Sequence, residues 1–135
     1  MKKTILSILC LLTLSANAYS DTSVEVLQRG TGPKANNADQ LLINYHLWLF
    51  DSNKADGKGK LVEKNTNRGQ PSRLLLKKEK IIAGLYTALL NQETGSKLKI
   101  VVPPELAYGP KKEGEIPANA TLVYEMEILL VMPQK

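Results

Sequence analysis

The 135-residue chain is 43% hydrophobic but only 5% aromatic, and its 18 lysines and arginines exceed 13 acidic residues, for a formal charge of +5. That length holds one folded domain. The bases are scattered, as in Lys58/Lys60, Lys77/Lys78/Lys80 and Lys111/Lys112, with too few rings between them for a nucleic-acid stacking groove; they read as a solubilising surface, with no nucleic-acid partner.

Met1-Lys2-Lys3 is a basic start, 5–14 is an apolar run, and Ser15-Ala16-Asn17-Ala18 is a small-residue cleavage pattern. The run is shorter than the roughly 20 residues that span a bilayer. Residues 1–18 are therefore expected to be a cleaved secretory signal, with the mature domain at 19–135 and no stable membrane insertion. Cys10, the only cysteine, lies inside that signal behind Ile8-Leu9, where a lipid-attachment site needs small residues. The mature chain then carries no thiol, disulfide or cysteine-bound metal. That fits an oxidising compartment, and the bacterial look of the signal points to the periplasm.

Residues 24–27 are β-branched and followed by Gly30-Thr31-Gly32-Pro33, which predicts a strand and a turn. Residues 35–39 read as a polar connector, completing an amino-terminal part at 19–39 ahead of a core at 40–132. The clearest early strand is 41–50, with Leu41, Ile43, Tyr45, Leu47 and Leu49 on one face. His46, the only histidine, faces the other way and has no partner at metal-ligand spacing, so it reads as a solvated strand-face residue and no metal site is expected.

Asp56-Gly57 and Gly59 among lysines place a hairpin loop at 51–60, with a return strand at 60–65. Arg68-Gly69-Gln70-Pro71 is a further turn and 73–76 a short strand. Leu85, Ala88 and Leu89 share one face of a helix at 85–92, with Gly95 as its cap region. The 97–102 segment alternates, with Leu98, Ile100 and Val102 inward, and Pro103-Pro104 must stop it because proline has no amide donor. Glu105–Gly109 then makes a tight turn presenting Tyr108. After a charged loop, Pro117 leads into a last strand with Leu122, Tyr124, Met126, Ile128 and Leu130 on one face. One helix covers only one sheet face, so the expected class is α+β: a five- to six-stranded antiparallel sheet curled around one short helix.

The runs Pro103-Pro104-Glu105-Leu106-Ala107-Tyr108-Gly109 and Ile116-Pro117-Ala118-Asn119-Ala120-Thr121-Leu122, taken in that order, resemble the FKBP family of peptidyl-prolyl cis-trans isomerases. Arg68-Gly69-Gln70-Pro71 and Ile81-Ile82-Ala83-Gly84-Leu85 stand where the family has Arg-Gly-Gln-Pro and Val-Ile-Pro-Gly-Trp. The resemblance implies an FKBP-like fold and an isomerase with no nucleophile, metal or cofactor. Carried over residue by residue, it implies Tyr45, Ile82, Tyr108 and Tyr124 as catalytic residues with Glu63 in the carboxylate role. Val62, Ile81, Leu85 and Ile116 would complete the substrate pocket. Ile82 would contribute its backbone N–H, and the Tyr108 hydroxyl would bond a substrate carbonyl. The partners implied are proline-containing polypeptides of exported proteins, and a monomer is expected.

The departures cluster in that pocket. Val62-Glu63-Lys64-Asn65 replaces Phe-Asp-Ser-Ser, Ser72 follows Pro71 where an aromatic is usual, Leu85 replaces tryptophan, and Tyr124 replaces phenylalanine. Replacing a packed ring by a small side chain removes about 3–5 kcal/mol in protein cores. The sequence thus carries two readings: an isomerase of reduced activity, or a non-catalytic FKBP-like binding or chaperone module.

Overall fold

The computed structural model describes residues 21–134, so the signal expected at 1–18 lies outside the described residues. Six strands form one antiparallel sheet: β1 (Ser23–Gln28), β2 (Gln40–Phe50), β3 (Lys58–Lys64), β4 (Ser72–Leu75), β5 (Lys97–Val102) and β6 (Leu122–Met132). The helix α1 (Ala83–Leu89) lies between β4 and β5 in the chain, and 3-10 turns occupy Thr66–Arg68 and Pro104–Leu106. Among the described residues no helix is long and apolar enough to cross a membrane.

The sheet runs β1-β5-β6-β2-β3, and β4 also pairs with β2. β3 and β4 are two pieces of one interrupted edge: β4 pairs with Gln40–Ile43 of β2, and β3 pairs with His46–Phe50. The central ladder is β2 with β6, paired from Gln40↔Met132 to Leu49↔Leu122. Because β4 and β5 lie on opposite sides of that ladder, the connection between them must cross the sheet, and it carries α1.

Alternation along the strands supplies one apolar face, on which Leu41, Leu98, Ile100, Leu122 and Ile128 are fully buried with Leu85, Ala88 and Leu89 of α1. Each fully buried Leu or Ile contributes on the order of 1.5–3 kcal/mol relative to exposure. The helix sits close to the sheet because of Gly84. A Cβ there would come within 2.4 Å of Val102 Cγ1, so only glycine allows this approach. The 35–39 connector is anchored: Ala35 is buried, Asn37 accepts the Tyr86 hydroxyl at 3.0 Å, and Asp39 accepts the Asn36 N–H at 2.8 Å.

Three expectations need correction. Leu122, Tyr124, Met126 and Ile128 are buried as alternation predicts, but Leu130 is 45% exposed and Val131 only 6%. Leu42 pairs with Leu130 and Ile43 with Ile128, so Leu129 is an extra residue that reverses the phase of everything after it. The helix spans Ala83–Leu89, two residues earlier than the Leu85 start, and the chain leaves it at Leu90 with φ −56° and ψ 135°. Gly95 therefore does not cap it; at φ 91° it turns the chain into β5 and donates its N–H to Ile128 at 2.7 Å. Finally, β3 begins at Lys58 and β4 at Ser72, each ahead of its predicted start.

Candidate active site

A cleft of about 820 Å³ opens on the concave face beside the amino-terminal end of α1. Its inner wall belongs to the central ladder, with Ile43, Tyr45 and Leu47 of β2 and Tyr124 and Met126 of β6. Period-2 spacing puts these on one side of the sheet. The Tyr45 and Tyr124 rings lie 6.5 Å apart between centroids and are tilted by 53°. Ile81 and Leu85 line the cleft from the α1 segment, and Leu85 is buried.

The loop after β5 supplies the overhang. Pro103 is buried and Pro104 opens a 3-10 turn, after which the Gly109 N–H returns to the Pro104 carbonyl at 2.8 Å. This closes the turn that carries Tyr108. Asn119 donates to the Gly109 carbonyl at 2.8 Å, tying both ends of the loop together. Within it, Glu113 and Ile116 exchange N–H···O bonds of 2.9 and 2.8 Å around Gly114, whose φ is 54°. That two-residue turn buries Ile116 as the loop's anchor and leaves Glu113 and Glu115 exposed on the cleft.

The outer wall comes from the interrupted edge. Leu47 pairs with Glu63 and Trp48 with Leu61, so Val62 is a bulged residue. A regular strand would turn one of Val62 and Glu63 away, whereas the bulge lets both line the cleft. The gap between β3 and β4 is filled by Asn65, which is 3% exposed. Its Oδ1 accepts the Tyr45 N–H at 2.8 Å, and its Nδ2 donates to the Ile43 carbonyl at 2.8 Å and Ser72 Oγ at 3.1 Å. The side-chain amide thereby replaces the missing strand and fixes both edge pieces to β2.

The electrostatics favour neutral phenols. Burial first, then the neighbouring Glu63 carboxylate, push the Tyr45 hydroxyl up to about 12. Burial raises Tyr124 further, and Tyr108 is raised by burial and then by Glu113 and Glu63. Desolvation and nearby negative charge both disfavour a phenolate, so the three hydroxyls are held as hydrogen-bond donors around one space.

Of the residues expected at the site, Tyr45, Val62, Glu63, Ile81, Leu85, Tyr108, Ile116 and Tyr124 are brought together around the cleft. Ile82 is not among the lining residues. It precedes α1 with φ −59° and ψ 144°, and its carbonyl accepts from Leu85 and Tyr86, both at 3.1 Å. Its N–H donates to no protein acceptor among the described residues. Sequence reasoning missed Ile43, Leu47 and Met126, although they stand two residues from Tyr45 or Tyr124 on the same predicted face. It also missed Leu74 and the charged rim, and nothing in the chain signalled Asn65. His46 faces the opposite side, stacked on Trp48 at 5.5 Å with the rings 16° apart.

A curled antiparallel sheet crossed by one short helix thus carries a cleft lined by three phenols. Residues 32–129 match the family described as FKBP-type peptidyl-prolyl cis-trans isomerase, and the chain belongs to that family. It is 31% identical over 110 residues to FK506-binding protein 1 of Aspergillus oryzae, an alignment covering 79% of this chain and 95% of the relative. It is 36% identical over 109 residues to FKBP-type peptidyl-prolyl cis-trans isomerase FkpA of Escherichia coli, covering 81% of this chain but 37% of FkpA. The crystal structure of E. coli FkpA superposes with a TM-score of 0.70 at 35% identity, over 83% of this chain and 48% of the crystallised one. A peptidyl-prolyl isomerase from Pseudomonas syringae gives 0.68 at 31% identity, over 83% and 76%.

Proposed function

We propose that this chain catalyses cis–trans isomerisation of Xaa–Pro bonds in proteins exported to the periplasm, working as a monomer behind a cleaved signal at 1–18. The observation that carries the reading is the convergence of Tyr45, Tyr108 and Tyr124 on one concave apolar cleft in a chain of this family. Rotation about a peptide bond costs ~18–20 kcal/mol because it breaks amide resonance, which makes uncatalysed Xaa–Pro isomerisation slow. A catalyst has only to bind the twisted amide better than either planar form. The apolar inner wall of the cleft does this, because the twisted amide has lost its zwitterionic resonance and is less costly to desolvate.

Each ~1.4 kcal/mol of such preference gives about tenfold in rate. Tyr45, Tyr108 and Tyr124 supply the apolar rings, and the Tyr108 hydroxyl holds a substrate carbonyl while the bond turns. Glu63 receives polar hydrogens of the peptide at the open side, and the Ile82 N–H, which precedes α1 and donates to no protein acceptor among the described residues, is a donor for the peptide. Val62, Ile81, Leu85 and Ile116 seat the proline ring. The smaller groups at Val62, Ser72 and Leu85 give up apolar contact, so turnover is lower than with rings at those positions.

The reading is tested with a blocked Leu–Pro peptide in a protease-coupled assay. Catalytic amounts of protein are expected to abolish the slow phase of cleavage. A slow phase unchanged at micromolar protein would overturn the isomerase reading.

A further inference from the structure

The chain is basic overall, yet three carboxylates, Glu63, Glu113 and Glu115, line the cleft against two cations, Arg73 and Lys80. The carboxylates do not come from one flexible tail. Glu63 is presented by the bulge at Val62, and Glu113 and Glu115 flank Gly114 in the turn closed by the Glu113–Ile116 bonds and anchored by buried Ile116. Two separate structural devices thus aim negative charge at the same mouth. Glu113 and Glu115 stand in the same clamped loop as Tyr108, and Glu63 lines the same cleft from the outer edge. Arg73 and Lys80 belong to β4 and the segment leading to α1.

We infer that the Tyr108 end of the cleft selects a lysine or arginine side chain flanking the isomerising proline, with Glu113, Glu115 and Glu63 supplying the attraction. This rests on the isomerase reading and names the substrate class of that same site. The groups are exposed, so each pairing is weak, but two or three exposed pairs together supply roughly a three- to tenfold preference. Such a preference is screened at high ionic strength, where the Debye length falls to about 3 Å at 1 M salt.

The test uses blocked peptides with lysine, leucine or glutamate immediately before the proline, and a second set with these residues immediately after it. Cis–trans exchange is followed by NMR with substoichiometric protein. In one of the two placements lysine is expected to exceed glutamate in kcat/KM by roughly three- to tenfold. That ratio should fall toward one in 1 M salt and in the E113Q/E115Q variant. Because the ratio is internal to each protein sample, a general loss of activity does not enter it. Equal handling of lysine and glutamate in both placements overturns the inference while leaving the isomerase reading intact, as does a ratio unchanged in the variant. If no peptide is accelerated, the isomerase reading fails, and titrating the same peptides for binding decides the inference: tighter lysine peptides uphold it and equal affinities overturn it.

Discussion

The two walls of the cleft are built in different ways. The inner wall stands on the β2–β6 ladder, paired continuously from Leu49↔Leu122 to Gln40↔Met132 apart from one bulge, and it carries Tyr45 and Tyr124. The outer wall stands on an edge broken between β3 and β4, bridged to β2 in the gap by Asn65, through its side chain and through its own N–H to the Tyr45 carbonyl at 3.3 Å. The departures from the aromatic pattern fall outside the ladder, at Val62, Ser72 and Leu85, whereas the phenols are on the ladder or in the clamped loop. A residue on a central strand is constrained on both sides, so changing it disturbs two neighbours. An edge residue such as Val62 or Ser72 can be exchanged with less disturbance, whereas Leu85 is a buried residue of α1.

The largest effect that breaks this contrast is loss of the clamp. Asn65→Ala removes three side-chain hydrogen bonds from a buried position and leaves two backbone groups unsatisfied. At ~1 kcal/mol for each net bond and more for an orphaned buried group, the expected cost is about 2–4 kcal/mol, read by urea unfolding. A cost below about 0.5 kcal/mol would mean that the edge holds itself, since ordinary surface changes fall in that range.

Next in size is Tyr108→Phe, which keeps the ring and deletes the hydroxyl. It should lower kcat/KM by about three- to tenfold, the worth of one hydrogen bond, with little change in the urea midpoint. A smaller effect of opposite sign is expected from Val62→Phe, because the bulge points position 62 into open cleft space. Added apolar area there should raise kcat/KM a few-fold, at about 25 cal/mol per Å² buried. A loss of activity with intact folding would show that the outer wall is as constrained as the inner one.

The smallest effect is that of pH in the working range. The Tyr45 hydroxyl is raised from its ordinary value of 10.0 to about 12, and Tyr108 and Tyr124 are also raised. An acid with a raised folded-state pKa keeps its proton longer in the native protein than in the unfolded chain. Its contribution is therefore fully present below about 10 and is lost as pH rises toward 12. Urea midpoints should show no tyrosine-linked change below about pH 9 and a decline above about 10. Tyr124→Phe should make that decline shallower.

Much of the fold was legible because alternation and turn residues report it directly. The inward face of β2, the strand at 97–102 and the proline stop after it follow from spacing and from the missing donor of proline. Leu130 was misplaced because a bulge inserts one residue without any compositional mark, and the same device at Val62 hid how two neighbouring side chains reach one cleft. The helix start at Ala83 was missed because the apolar pattern begins at Leu85, while its close seat depends on Gly84 meeting Val102 across the sequence. Asn65 reads locally as an ordinary loop residue. Its role depends on the carbonyl and amide of β2 some twenty positions earlier, which periodicity does not report. The Glu113–Glu115 rim was likewise invisible until the turn that presents it was seen.

In the proposed function, neutral phenols around an apolar cleft lower the barrier to Xaa–Pro rotation. The most direct measurement is exchange NMR on a Leu–Pro peptide with substoichiometric protein, comparing the unmodified chain with Tyr108→Phe. With the unmodified chain, cis–trans cross-peaks are expected to build up far faster than in peptide alone, and several-fold more slowly with the variant. Exchange at the protein-free rate, or acceleration identical in the two proteins, would contradict it.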